Sequence, residues 1–266
     1  MIERLLLRAP DGVATGARIA GAGGPALIFV HGVGSTAAIW DYQLRAFEDR
    51  ARCIAIELRG NGVPKPEPDP EAITREGYAA DVLAVADAQG VERFTIVGCS
   101  LGGVVAFELW KRVPQRIEAM VIVGSFAAYP NARTYADGIT DAVMEAGGME
   151  GFARARAAKL GLPPARTTET IDQMSCKVTG SYLAATEATW TGDYTSVLPT
   201  IDVPVLVSCG ERDVVAPLAL SQTIASGIPG AELMTVPNAG HVANADNPAF
   251  FNDMLERFLH RTAVAL

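Results

Sequence analysis

The 266-residue chain carries 30 acidic and 22 basic residues, which gives it a formal net charge of -8 at neutral pH. On average a surface with this charge repels the phosphate backbone of nucleic acids and the headgroups of anionic membranes, which argues against both as partners. Hydrophobic residues make up 49% of the chain and charged residues 20%, the balance of a globular protein with a large core. Because no apolar run could span a bilayer and the first residues show no signal-peptide pattern, we predict a cytoplasmic protein.

The first half of the chain alternates predicted strands and helices. An antiparallel hairpin is expected over 3–9 and 17–20, because Asp11-Gly12 between them is a turn signal. Uniformly apolar runs then predict strands that are buried on both faces, and apolar residues at helical spacing predict the helices that follow them. The predicted strands are 26–30, 53–58, 94–99 and 119–124, and the predicted helices are 39–48, 75–89 and 101–113.

The alternation breaks between about 126 and 200, where short helical segments such as 135–146 and 150–159 are separated by glycine and proline. It returns with predicted strands at 203–209 and 231–236 and helices at 218–226 and 248–260. The fold class predicted is therefore α/β, with a doubly wound, mostly parallel eight-stranded sheet. We divide it into a core domain, 1–126 and 200–266, and a helical cap, 127–199, inserted in that core.

Ser100 is the candidate nucleophile. It lies in Gly98-Cys99-Ser100-Leu101-Gly102, between a predicted strand and a predicted helix, which is the context in which a Gly-x-Ser-x-Gly motif forms a sharp turn. A turn this tight brings backbones close together, so the two glycines have a mechanical role. On its own a five-residue motif also fits an ordinary loop. The assignment of Ser100 as a nucleophile therefore depends on partner residues elsewhere in the chain.

The candidates for the general base and its acidic partner lie directly after the later predicted strands. His241 follows the last predicted strand, and Asp213 follows the strand before it. Because parallel strands end at one edge of a sheet, both residues are expected near Ser100. Asp213 would hold the imidazole in the required tautomer; Glu211 and Asp193 are rivals for this role. Serine, acid and histidine occur in the order typical of one hydrolase fold, which favours a triad over coincidence.

A tetrahedral intermediate also needs donors for its oxyanion. The candidates are the backbone N–H groups of Val33, in the glycine-flanked loop after strand 26–30, and of Leu101, at the start of the helix after Ser100. His31 is expected to hold the first loop in place and, as a lesser alternative, to touch substrate. We accordingly include His31 among the candidate substrate contacts, together with the large cap residues Met144 and Trp190.

Together these motifs resemble the α/β-hydrolase superfamily over nearly the whole chain. The segments 31–34, 98–102, 210–213 and 240–241 are similar to its oxyanion loop, nucleophile elbow, acid turn and histidine loop. Ser35, Trp40-Asp41 and 58–62 further resemble carboxylesterases, 3-oxoadipate enol-lactonases and cofactor-free haloperoxidases. Two positions depart from the pattern. Many relatives have histidine at position 61, where this chain has asparagine, and histidine or methionine at 99, where it has a cysteine that we expect to pack under the elbow.

The resemblance implies a serine hydrolase that cleaves a carboxylic ester or lactone of a small, partly apolar substrate. A hydrolase of carbon–carbon bonds in vinylogous diketones uses the same triad, and a ligand-binding member without catalysis is the alternative outside the enzymes. We expect no cofactor. We also expect no metal, because the three histidines and four cysteines form no cluster. A small-molecule substrate is the expected partner, and a homodimer is compatible with the sequence.

Overall fold

The computed structural model describes residues 1–61, 66–160 and 164–262. Its sheet has eight strands in the order β1-β2-β4-β3-β5-β6-β7-β8. β1 pairs with β2 and β2 with β4 in antiparallel orientation, and all the remaining pairs are parallel. The strands are β1 Glu3–Arg8, β2 Ala14–Ala20, β3 Ala26–Val30, β4 Arg52–Glu57, β5 Phe94–Cys99, β6 Ile117–Val123, β7 Val205–Gly210 and β8 Glu232–Val236. The predicted fold class is confirmed.

Helices cover both faces of this sheet. α2 Arg75–Ala88, α3 Leu101–Arg112 and α8 Leu218–Gly227 pack on one face, and α1 Asp41–Phe47 and α10 Pro248–Arg261 on the other. The short helix α9, Ala243–Asp246, precedes α10. The central strands β3 and β5 are buried along their whole length, as expected for parallel strands covered on both sides.

Four helices lie between β6 and β7, in the segment predicted to be the cap: α4 Ala132–Glu145, α5 Met149–Leu160, α6 Pro164–Ser175 and α7 Thr179–Trp190. An aromatic cluster joins this segment to the end of β6. Trp190 stacks on Phe126 with ring centroids 4.9 Å apart, and Tyr129 and Tyr135 contact the indole edge-on or tilted. The domain boundaries themselves stay a prediction.

The sequence-predicted boundaries given above are within three residues of those in the structure, and two of the differences are informative. β2 begins at Ala14, three residues before the predicted start, because Thr15 pairs with β1, and Gly16 with both β1 and β4, instead of extending the turn. The predicted helix 39–48 begins as a 3-10 turn over Ala37–Trp40 before α1. Part of the predicted proline-rich loop, residues 62–65, lies outside the described residues. Within the described part of the chain, no helix is long and apolar enough to cross a membrane.

Candidate active site

Ser100 occupies the sharp turn predicted between β5 and α3. Its backbone has φ 54° and ψ -114°, a region that costs a side-chain-bearing residue free energy and is found at functional sites. The turn leaves no space for side chains on its flanks. A Cβ on Gly98 would lie 2.2 Å from the carbonyl oxygen of Gly102, and one on Gly102 would lie 2.1 Å from that of Val30. The glycines of the motif are thus required by close backbone contact.

Asp213 is the acid that contacts His241. Its Oδ2 lies 2.9 Å from His241 Nδ1, and its Oδ1 accepts backbone N–H groups from Val215 at 2.8 Å and Ala216 at 2.9 Å. The carboxylate is fully buried, whereas the imidazole is 13% exposed. Three donors thus hold the carboxylate in one orientation. This arrangement leaves Nε2 of His241 as the ring nitrogen available to another group.

The two rival acids lie elsewhere. Glu211 is exposed, and its Oε2 accepts the backbone N–H of Asn238. Asp193 is exposed as well, and its Oδ1 accepts the N–H of Thr195. Both carboxylates therefore stabilise local turns, as short acidic side chains in loops commonly do. Asp213 is the only one of the three candidates in contact with the histidine.

Ser100 and the His241–Asp213 pair both border the end of β6. The Ser100 N–H donates to the Val123 carbonyl at 2.9 Å. A Cβ on the next residue, Gly124, would lie 3.0 Å from Asp213 Oδ2 and 3.4 Å from His241 Nδ1. Ser100 is 2% exposed, and its Oγ has no hydrogen-bond partner among the described residues. The Ser100 turn and the pair therefore border the same strand end, and the hydroxyl is engaged by no other described residue.

Both predicted oxyanion donors border this site. Leu101 is the first residue of α3, where N–H groups have no partner within the helix. Val33 follows Gly32, whose position is fixed by contact with Ser100: a Cβ there would lie 3.2 Å from Ser100 Cβ. In the described part of the chain neither the Val33 nor the Leu101 N–H donates a hydrogen bond. Two free backbone donors thus flank the Ser100 side chain.

His31 lies inside the protein. It is completely buried, its Nδ1 is 2.8 Å from the Gly32 carbonyl oxygen, and its Nε2 accepts the Leu58 N–H at 3.3 Å. Burial lowers the pKa of His31 to about 3, with a smaller contribution from the nearby Lys177 ammonium. The ring is therefore neutral, with Nδ1–H donating to Gly32. This placement corresponds to the predicted loop-holding role and leaves no ring nitrogen for a substrate.

The two cap residues proposed as substrate contacts are also placed away from His241. Met144 is 67% exposed on α4, because the helix turns Ile139 and Val143 inward and so directs the next position to solvent. Trp190 is fully buried in the aromatic cluster described above. Neither lines the cavity next to His241. As a correction to the expected lining, the methionine found there is Met174, on α6.

Sequence reasoning missed Lys177, which holds the oxyanion loop from the cap side. Its ammonium donates to the Ser35 carbonyl at 2.9 Å and to the Asn61 carbonyl at 2.6 Å. The residue is 5% exposed, and lysine is rarely buried without such partners. Two backbone segments that border the site are thus tied to the turn between α6 and α7. A lone lysine between two helices offers no motif that could have predicted this.

Cys99, next to the nucleophile, is buried, and burial raises the pKa of its thiol well above the usual range. Its Sγ lies 3.9 Å from the His241 carbonyl oxygen. A protonated, inaccessible thiol is a poor nucleophile, so the placement agrees with the predicted packing role. Cys53 and Cys209 are buried in β4 and β7, and Cys176 is exposed.

A cavity of about 70 Å³ opens next to His241. Its walls come from the oxyanion loop at Val33–Ser35, the turn at Arg212 and Val214, the histidine loop at 240–242, and the cap helices α5 and α6. A second, larger cavity of about 570 Å³ lies between α4 and α5. Arg156 on α5 lines both cavities. The cap therefore forms one wall of the space in which a substrate would meet His241.

Comparisons with known proteins agree with the fold. A family model described as alpha/beta hydrolase fold matches residues 25–248. "Putative carbamate hydrolase RutD" of Azorhizobium caulinodans is 30% identical over 249 residues, covering 90% of this chain and 92% of that protein. "3-oxoadipate enol-lactonase 2" of Acinetobacter baylyi is 28% identical and covers 89% of each chain. The crystal structure of a hydrolase from Pseudomonas aeruginosa, 29% identical, aligns with a TM-score of 0.87 over 97% of this chain and 98% of that one.

Proposed function

Because the chain belongs to the α/β-hydrolase family, we propose that it is a serine hydrolase that cleaves a carboxylic ester or lactone through an acyl-enzyme on Ser100. The observation that carries the proposal is the 2.9 Å contact between Asp213 and His241 at the strand end that also holds Ser100, whose hydroxyl is unengaged among the described residues. A serine hydroxyl is a weak nucleophile unless a base takes its proton. With Nδ1–H directed to Asp213, Nε2 of His241 is the base in reach of the site.

In the first half of the reaction, His241 Nε2 takes the Ser100 proton as Oγ attacks the carbonyl carbon. The buried Asp213 carboxylate stabilises the imidazolium that forms. The oxyanion of the tetrahedral intermediate accepts hydrogen bonds from the Val33 and Leu101 N–H groups, which are fixed before the reaction and need no reorganisation. Collapse of the intermediate breaks the bond to the alcohol oxygen, which receives the proton from His241.

In the second half, water replaces the alcohol. His241 removes a proton from this water, the hydroxide attacks the acyl carbonyl, and the same two N–H groups bind the second oxyanion. Collapse releases the carboxylic acid and returns the proton to Ser100. For a lactone the alcohol and the acid stay in one molecule, and the product is a hydroxy acid.

A carbamate is the second candidate substrate class, favoured by the name of the Azorhizobium relative. Its carbonyl lies between oxygen and nitrogen, and the same attack by Ser100 would give a carbamoyl-enzyme. Carbamates are less electrophilic than esters because nitrogen donates electron density to the carbonyl. We therefore expect esters and lactones to be cleaved faster.

The test is a panel assayed with the parent enzyme and the Ser100→Ala variant: p-nitrophenyl esters, aliphatic lactones, aryl carbamates and vinylogous diketones. We expect hydrolysis of an ester or lactone by the parent and loss of at least about a thousandfold in kcat for the variant. If the parent cleaves a carbamate or a diketone fastest, the substrate belongs to that class and not to the esters or lactones. Absence of any Ser100-dependent turnover would favour a ligand-binding protein.

A further inference from the structure

The cavity next to His241 is basic, although the protein as a whole is acidic. Its lining includes three arginines, Arg156, Arg166 and Arg212, and, among the described residues that form it, no aspartate or glutamate. The formal net charge of the chain is -8, so a random surface patch would be expected to carry the opposite sign. A concave site lined by one sign of charge concentrates the field there and attracts ligands of the other sign.

The three arginines differ in how far their charge is compensated. Arg166 is paired with Asp246 and Glu169. Arg212 is exposed and donates to the neutral amide oxygen of Asn238 at 2.7 Å. Arg156 makes no hydrogen bond or ion pair within the described part of the chain. Residues 62–65, 161–163 and 263–266, which the structure does not describe, contain no aspartate or glutamate side chain that could serve as its partner.

Arg156 is also shared by the linings of the two cavities. It lies on α5 and lines both the cavity beside His241 and the larger one between α4 and α5. Apolar or aromatic side chains line each cavity together with polar ones: Leu160 and Met174 in the first, and Phe152 and Tyr135 in the second. Arg156 itself is partly buried. A partly desolvated guanidinium without a counter-charge is a strong anion site.

From these observations we propose that the substrate of the Ser100 site carries a carboxylate remote from the scissile carbonyl, and that Arg156 binds this carboxylate. The inference rests on the proposed hydrolase function and deepens it. A planar guanidinium matches the two oxygens of a carboxylate with two parallel N–H···O bonds. Arg166 is already neutralised by its two acidic partners, so Arg156 and the exposed Arg212 carry the uncompensated positive charge of the cavity. The apolar walls would contact the chain or ring that joins carboxylate and ester.

The experiment compares pairs of substrates that differ in charge alone. The p-nitrophenyl monoesters of adipic, pimelic and suberic acid carry a terminal carboxylate, and the corresponding ω-amides have nearly the same shape without the charge. For the parent we expect kcat/KM to be higher for the carboxylate of at least one pair. In Arg156→Met this preference should fall by about tenfold to a hundredfold, the loss typical of a charge-assisted hydrogen bond to substrate, while the amide changes little. Arg156→Lys should restore part of it, because the charge is retained.

Arg154→Met is the matched control. Arg154 lies on the same helix and is exposed, pairs with Glu150 at 3.0 Å and lines neither cavity, so its replacement should leave the carboxylate preference unchanged. The proposal is overturned if Arg156→Met lowers kcat/KM equally for acid and amide, or if the parent prefers the amide in every pair. Because both substrates are activated esters, turnover of the amide that depends on Ser100 would leave the hydrolase proposal intact even when the carboxylate proposal fails.

Discussion

Replacing Asp213 by asparagine tests whether this residue determines which ring nitrogen of His241 carries the proton. The new side chain has nearly the same shape, but only one of its two terminal atoms can accept hydrogen bonds. Oδ1 of Asp213 accepts the N–H groups of Val215 and Ala216 at 2.8 and 2.9 Å, so in the variant the amide oxygen has to stay there. The NH2 group then faces His241 Nδ1 and donates to it, which leaves the proton of the neutral ring on Nε2.

A histidine with its proton on Nε2 cannot accept one from Ser100. The same exchange of tautomer in a serine protease costs about 10⁴-fold in kcat, roughly 5 kcal/mol of transition-state stabilisation. We expect Asp213→Asn to lower kcat for a p-nitrophenyl ester by about 10³- to 10⁴-fold. KM should change little and cooperative thermal unfolding should be retained, since both backbone hydrogen bonds are preserved.

The rival acids supply the controls for this substitution. Glu211→Gln and Asp193→Asn remove exposed carboxylates that accept loop N–H groups, and each should keep kcat within about twofold. The proton assignment is refuted if Asp213→Asn loses less than about tenfold, or if either control variant loses as much as Asp213→Asn does.

Three further predictions concern the residues around the site. The free energy of unfolding should fall as the pH drops below about 6.5, because His31 takes up a proton only when unfolded, its folded-state pKa being about 3. Between pH 6 and 4 this difference in protonation should lower the free energy of unfolding of the parent, measured by urea titration, by about 2 kcal/mol. His31→Gln should lack this part of the pH dependence, and parallel pH profiles for parent and variant would contradict the prediction. Gly98→Ala should destabilise the fold by more than about 2 kcal/mol, because its methyl group would lie 2.2 Å from the Gly102 carbonyl oxygen. The helical Gly138→Ala, whose methyl would meet nothing within 4 Å, should not destabilise it, and equal melting temperatures for the two variants would be inconsistent with the tight turn. Finally, Met144→Gln should leave kcat/KM within about twofold, whereas Met174→Ala should lower it by about tenfold through lost apolar contact; the reverse order would show that the cavity has been placed wrongly.

Much of the fold could be predicted because buried parallel strands have a distinctive sequence. Runs such as 26–30 and 119–123 are apolar at every position, so neither their type nor their burial depends on knowing their neighbours. Asp213 and His241 could be predicted for a related reason. Each follows such a strand, and the ends of parallel strands meet at one edge of the sheet. The structure places the two side chains in hydrogen-bond contact.

The cap was harder to predict because its residues do not carry a comparable signal. Met144 is a large apolar residue in a helical segment, but the rotation of α4 directs it to solvent and turns Val143 inward. A shift of one position along a helix rotates a side chain by about 100°, so small errors of phase move residues between pocket and surface. Lys177 and Arg156 were missed for a different reason. Their roles come from the backbone carbonyls and cavities that surround them in space, which no local motif reports.

Reaction of the enzyme with a fluorophosphonate, followed by intact-mass analysis, tests the central claim most directly. The reagent phosphonylates a serine only where a base activates the hydroxyl and N–H donors stabilise the resulting oxyanion. The parent should gain the mass of a single adduct, mapped to Ser100 by peptide sequencing, and lose its esterase activity in proportion. Ser100→Ala should gain none. An unlabelled parent, or equal labelling of parent and variant, would contradict the assignment of Ser100 as the nucleophile.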